Sequence, residues 1–222
     1  MTLQRVGAFA SLGCAATYLF GFVFLLTVLA PLGFGGSQVD ARAVVDFAVA
    51  QSGLLILWNS VIYIANALVL ALLVVALADH LKPTTPGWAA VTRAIGIMWS
   101  TLVLGAGMIA NVGVERAAQL GASDPEAAVR LWQVLHAVEL GLGGGNEIAG
   151  AVWIGAVSLA ANTGRSLGKI AVFLGLVTGL GGIATLIPSI GDAAGAVFGL
   201  GAIAWFIAVG ISMLLRDKPA AP

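Results

Sequence analysis

A histidine and a glutamate three residues apart, His136 and Glu139, stand out in a chain that is otherwise poor in reactive groups. At that spacing they share one turn of a helix. A second carboxylate, Glu147, follows a run of four glycines at positions 141, 143, 144 and 145 and stands directly after Asn146. Glu139 and Glu147 are therefore the candidate catalytic acids, able to donate or accept a proton if partial burial raises the pKa of one of them. The alternative is that both are interfacial carboxylates satisfied by backbone N–H groups or by Arg116 and Arg130. A metal site needs three or four ligands. The only other histidine, His80, is distant in the sequence, so the expectation is no metal and no cofactor.

Candidate ligand-binding residues surround these acids. Ser52, Asn59, Tyr63 and Asn66 recur at intervals of seven, four and three, which places them within a stripe of about 60° on a helix turning 100° per residue. Arg93, Ser100, Gly107 and Asn111 form a second stripe. These polar stripes face one another or a common interior, because a polar side chain within hydrocarbon is tolerated mainly where it meets other helices or water. Asn59, Tyr63, Asn66, Asn111, His136 and Asn146 are the polar candidates, and Trp58 and Trp153 the aromatic ones. The same asparagines and tyrosine could serve only as interhelical hydrogen-bond glue.

The elements that must position them are apolar helices. Of the 222 residues, 60% are hydrophobic and 9% charged, against roughly 25% charged in a soluble domain; the mean hydropathy is +1.04. Six windows hold the ~20 apolar residues a span requires: about 7–30, 53–78, 91–113, 143–162, 169–188 and 194–215. The expected fold is all-α and integral to the membrane, a single domain over 1–215 with six transmembrane helices and a cytoplasmic tail at 216–222. The apolar run from Val6 to Ala30 exceeds a signal peptide's core and is read as the first span.

Seven of the ten basic residues (Arg5, Lys82, Arg93, Arg165, Lys169, Arg216 and Lys218) fall on one side of this arrangement. By the positive-inside rule that side is cytoplasmic, and both termini with it. Most acidic residues fall on the other side, as do the polar candidates, which converge on the outer leaflet. Two outer connections, Asp40 to Gln51 and Asp124 to Leu140, read as short surface helices, with Ser37 and Ser123 placed to cap them. In the second, Leu131, Leu135 and Val138 form the expected apolar stripe, opposite Glu126, Arg130, Gln133 and His136. The two span–surface helix–span units, 1–78 and 91–162, hint at a duplication. Cys14 lies alone in the first span, so no internal disulfide is expected. Basic residues scattered singly exclude a nucleic-acid surface.

The corner Gly143-Gly144-Gly145-Asn146-Glu147 with the following Ala-Gly-Ala-Val-Trp153, and the closing Val197-Phe198-Gly199, Ala204-Trp205-Phe206 and Leu214-Leu215-Arg216, resemble the bacterial six-span membrane proteins grouped as domain of unknown function 4386. The resemblance implies a helical membrane domain and singles out Glu147. It implies no activity. Membrane lipids are the expected surroundings. The expected function is a pocket binding a small lipophilic molecule or lipid, or acting on it in the manner of an acid-catalysed cyclase or isomerase. The alternative is an accessory subunit that binds a membrane-protein partner through its glycine faces. A transporter fits less well, since the polar groups do not continue to the cytoplasmic side.

Overall fold

The computed structural model describes residues 1–34, 39–144 and 148–216, all of it helix, turn or loop with no strand among those residues. The α-helices are α1 (Leu3–Phe24), α2 (Ala41–Asn59), α3 (Asn66–Leu81), α4 (Pro86–Gly121), α5 (Pro125–Glu139), α6 (Ile148–Gly164), α7 (Lys169–Ala184) and α8 (Gly191–Leu215).

Four helical stretches are long and apolar enough to cross a membrane: Leu3–Leu32, Ala41–Leu81, Pro86–Gly121 and Pro188–Leu215. A fold of this kind is compatible with a membrane protein. The windows expected at 143–162 and 169–188 fall on α6 and α7, which have 17 and 16 residues, short of the ~20 that span unaided. Helix α7 ends at Ala184, and Pro188 opens a 3₁₀ turn that leads into α8. The expected outer helix at 40–51 is instead the first part of α2, set off by a kink at Gln51 (φ −147°, ψ 45°). Its cap is Asp40, whose carboxylate accepts from the N–H groups of Arg42 and Ala43 at 3.0 Å. Asp124 likewise caps α5 through Ala127 N–H. Acids therefore cap both helices. Ser123 donates back to Leu120, and Ser37 lies outside the described residues.

The chain gathers into two compact units. Unit 1 comprises 1–16, 67–101 and 147–222. Its centre is three fully buried tryptophans, Trp99, Trp153 and Trp205, with ring centroids 5.5 Å apart from Trp99 to Trp153 and from Trp153 to Trp205. Such bulk fits because glycines let the helix backbones approach. A Cβ on Gly175 would collide with Ser158 Oγ and Trp205 Nε1, and one on Gly179 would stand 3.0 Å from the Ala151 carbonyl. The Gly175-x-x-x-Gly179 face is thus taken up by packing of α7 on α6 and α8. Ser11 Oγ donates to the Phe206 carbonyl at 2.6 Å, fastening the start of α1 to α8.

Unit 2 comprises 17–66 and 102–146. Val44, Val45, Ala48 and Leu55 of α2 bury against Val114 and Ala117 of α4 and Ala128 and Trp132 of α5. Three segments of unit 2 wind as π-helix: Leu25–Leu29, Ser60–Ala65 and Leu140–Gly144. The last contains Gly143 at φ 139°, a conformation closed to L-residues with a side chain.

Candidate functional site

Helix α5 presents a face that the hydropathy pattern does not predict. Trp132 and Glu139 are buried, whereas Val134 and Val138 are 62% and 46% exposed. Val138 of the expected apolar stripe points out, and His136, expected on the opposite arc, turns toward the buried Glu139. The buried positions 128, 132 and 139 follow spacings of four and seven, the repeat of one helical face.

Glu139 is only 6% exposed, and both its oxygens are engaged. Tyr63 Oη donates to Oε1 at 2.6 Å, and His136 Nδ1 lies 2.8 Å from Oε2. Burying a carboxylate is costly unless it is hydrogen-bonded, and here a phenol and an imidazole meet that need. Of the two arginines considered for this role, Arg116 donates instead to Gln119, and neither Arg116 nor Arg130 is among the partners of Glu139 given by its two hydrogen bonds.

Tyr63 reaches Glu139 from the middle of the π segment Ser60–Ala65. In an α-helix, residues five apart lie about 140° round from one another. The i→i+5 winding brings Tyr63 back toward the side of Trp58, and the two rings meet edge to face at 6.5 Å. Helix α4 approaches closely at the same level: a Cβ on Gly107 would collide with the Tyr63 Cβ. One turn further along α4, Asn111 Nδ2 donates to Ser60 Oγ at 3.0 Å, while Asn111 Oδ1 is buried without a partner.

Aromatic rings line the triad. Trp132 stacks on the His136 ring at 4.5 Å and 18°, as expected for side chains four apart on a helix. Phe34 presents an edge to both His136 (6.2 Å) and Trp58 (5.8 Å), and Phe24 stacks on Trp58 at 6.4 Å. Trp58 Nε1 donates to the Gly21 carbonyl at 3.3 Å, so its polar edge is satisfied while its ring packs among Phe24, Phe34 and Tyr63. Phe34 and Ser60 were not legible as site residues. An aromatic between the two glycines of Gly33-Phe34-Gly35 was the one signal for the first.

Of the residues picked out by sequence, Tyr63, Glu139, His136 and Trp58 come together. Asn111 joins them through Ser60. Asn59 is buried in the same unit, and Asn66 donates to Thr17 Oγ1 at 2.6 Å, a pairing apart from the triad. Trp153 belongs to unit 1, between Trp99 and Trp205. Asn146 and Glu147 lie outside the described residues.

The arrangement can move a proton. With Nδ1 donating to Glu139, Nε2 of His136 is the ring nitrogen left to accept or pass on a proton. Among the described residues no group of three or more His, Cys, Asp or Glu gathers as a metal site. Comparison with known proteins finds no matching family model, no matching curated protein and no matching solved structure.

Proposed function

We propose that the chain is a six-span integral membrane protein with both termini in the cytoplasm. In this reading its Glu139 site binds a small lipophilic molecule or lipid from the outer leaflet and isomerises it by proton transfer. The single observation that carries the proposal is a buried carboxylate held by Tyr63 and His136 within a wall of aromatic rings.

The six-span topology draws support from the contacts of the α6–α7 turn. The Ser166 carbonyl meets His80 Nε2 at 2.9 Å, at the end of α3, and Arg216 at the end of α8 donates to the carbonyls of Arg165 and Leu167. Helices α6 and α7 therefore come back to the end of unit 1 at which α3 and α8 finish, as the fourth and fifth spans would. The kinship to the domain of unknown function 4386 proteins is part of the proposal and rests on the short motifs alone.

The chemistry balances within the pair. The His136 imidazolium delivers its proton to a carbon–carbon double bond, and the positive charge on carbon is stabilised by the faces of Trp58 and Phe34. Loss of a proton from the neighbouring carbon to His136 Nε2 restores the imidazolium and shifts the double bond. Glu139 holds the ring and balances its charge, and Tyr63 orients Glu139.

Native mass spectrometry of the gently solubilised protein, wild type beside Glu139→Gln, tests binding. The expected result is a discrete lipophilic molecule carried by the wild type and lost from the variant. Equal retention of bulk lipid by both, or a co-purifying membrane protein in place of a small molecule, would favour the accessory-subunit reading instead.

A further inference from the structure

Helix α5 runs down beside α4 instead of lying across its end. A Cβ on Gly121 would stand 3.7 Å from the Ala128 Cβ, and one on Gly113 would stand 3.6 Å from the Leu135 Cβ. Stepping back along α4 from Gly121 to Gly113 therefore matches stepping forward along α5 from Ala128 to Leu135. The π segment after α5 continues the descent, since a Cβ on Gly143 would come within 3.9 Å of Val103.

The exposed residues of α4 mark a level on this descent. Arg93 and Glu115 are exposed and bound a stretch, 94–114, that holds no charged residue. At 1.5 Å per residue the two lie about 33 Å apart along the helix, close to the ~30 Å of a bilayer's hydrocarbon core. Met108 and Val112, 56% and 53% exposed, point outward within that stretch. Helix α5 changes character at the level of Glu115. Its exposed residues are Glu126, Arg130 and Gln133 before that level, and Val134, Ala137 and Val138 beyond it. On α2 the exposed Arg42 and Asp46 keep to the charged side, because a Cβ on Gly121 would meet the neighbouring Val45 and Val49.

A helix resting on a water surface is polar along the whole of its outward arc. The second half of α5 is inverted: apolar residues face out, and His136 and Glu139 face in. These two are the only His, Asp, Glu, Lys or Arg on the apolar side of the level among the described residues of unit 2. They bond with one another and with Tyr63, as ionisable groups inside a bilayer do.

We infer that the second half of α5 is embedded in the bilayer beside α4, with Val134, Ala137 and Val138 against phospholipid acyl chains. Glu139, six residues beyond Gln133, then lies about 9 Å inside the hydrocarbon. This placement rests on the membrane reading of the chain and holds whatever chemistry Glu139 performs. For the ligand site proposed above, it makes acyl chains, and not water, the medium outside α5.

Nitroxide labels placed one at a time at Arg130→Cys, Val134→Cys, Val138→Cys and Met108→Cys, on a Cys14→Ala background, report depth in phosphatidylcholine vesicles. All four positions are exposed and Cys14 belongs to unit 1, so the packing of unit 2 stays in place. Depth is read from collision with oxygen, which concentrates in hydrocarbon, against collision with a water-soluble nickel chelate. Arg130 should collide mainly with nickel and Val138 mainly with oxygen, with Val138 about 6 Å deeper than Val134. Met108 on α4 should match Val138. Val134 and Val138 at one depth beside the headgroups, with Met108 deep, would put α5 on the surface and overturn this placement alone. Shielding of Val138 from both reagents would put a protein partner on that face and overturn the acyl contact. Nickel access at Met108 would sink the membrane reading and this placement with it.

Discussion

Tyr63 donates its hydroxyl to a buried carboxylate, the type of hydrogen bond that contributes most to stability. Removing the hydroxyl in Tyr63→Phe should cost about 1.5 kcal/mol, read as a lowered unfolding midpoint in detergent. Glu139→Gln should cost a similar amount, because an amide cannot accept from both Tyr63 and His136 in the same geometry. A neutral Tyr63→Phe would mean that the phenol is not a partner of Glu139. Residue types and spacing were enough to pick out Tyr63, His136 and Glu139 as candidates. Their mutual pairing was not legible, because positions 63 and 139 are joined only by tertiary packing. The obvious partners by charge, Arg116 and Arg130, were the wrong expectation for Glu139: a buried carboxylate can be satisfied by neutral donors without burying an arginine as well.

Helix existence was legible from hydropathy, and so were the starts of α2 and α5 near Asp40 and Asp124. Winding was not. The π segments at 25–29, 60–65 and 140–144 carry no local sequence signature, and one extra residue in a turn rotates everything after it. That is why a 3.6-residue stripe through Asn59, Tyr63 and Asn66 overstated their common direction. The face of α5 was misread because hydropathy patterning assumes water outside, whereas Val134 and Val138 are exposed and Glu139 is covered. Glycines now test the elements separately. Gly107→Ala forces α4 away from Tyr63 and should cost about 1–3 kcal/mol by overpacking, with loss of the bound ligand in the same preparation. Gly175→Ala acts in unit 1 against Ser158 and Trp205. It should lower the unfolding midpoint comparably while ligand retention by the folded fraction is unchanged. Identical effects of the two substitutions on ligand retention would argue against a site confined to unit 2.

At the scale of the whole chain, the number of spans decides where the α6–α7 turn lies. With six spans Lys169 is cytoplasmic; with only the four long stretches crossing, everything between α4 and α8 is external. Cysteine scanning separates the two on a Cys14→Ala background, Cys14 being the only cysteine in the chain. Membrane-impermeant maleimide applied to intact cells should label cysteines at Asp46, Glu126 and Asp192, and spare those at Lys82 and Lys169. Labelling at Lys169 together with Asp192 would reduce the topology to four spans. Composition made long apolar helices legible, because 9% charge leaves little to cover a soluble surface, and four helical stretches long and apolar enough to span are present. The division into two compact units was not legible, since the hydropathy windows run unbroken through positions 16 and 101 where the units divide.

If the aromatic wall around Glu139 receives a lipophilic molecule, covalent capture will find it there. Membranes containing the protein would be illuminated with a lipophilic diazirine probe and the adducts mapped by peptide mass spectrometry, with Glu139→Gln in parallel. Adducts are expected to concentrate on peptides bearing Phe34, Trp58 and Trp132, and to fall at least severalfold in the variant. Adducts confined to outward residues such as Phe173 and Leu180, at the same level in wild type and variant, would contradict that expectation.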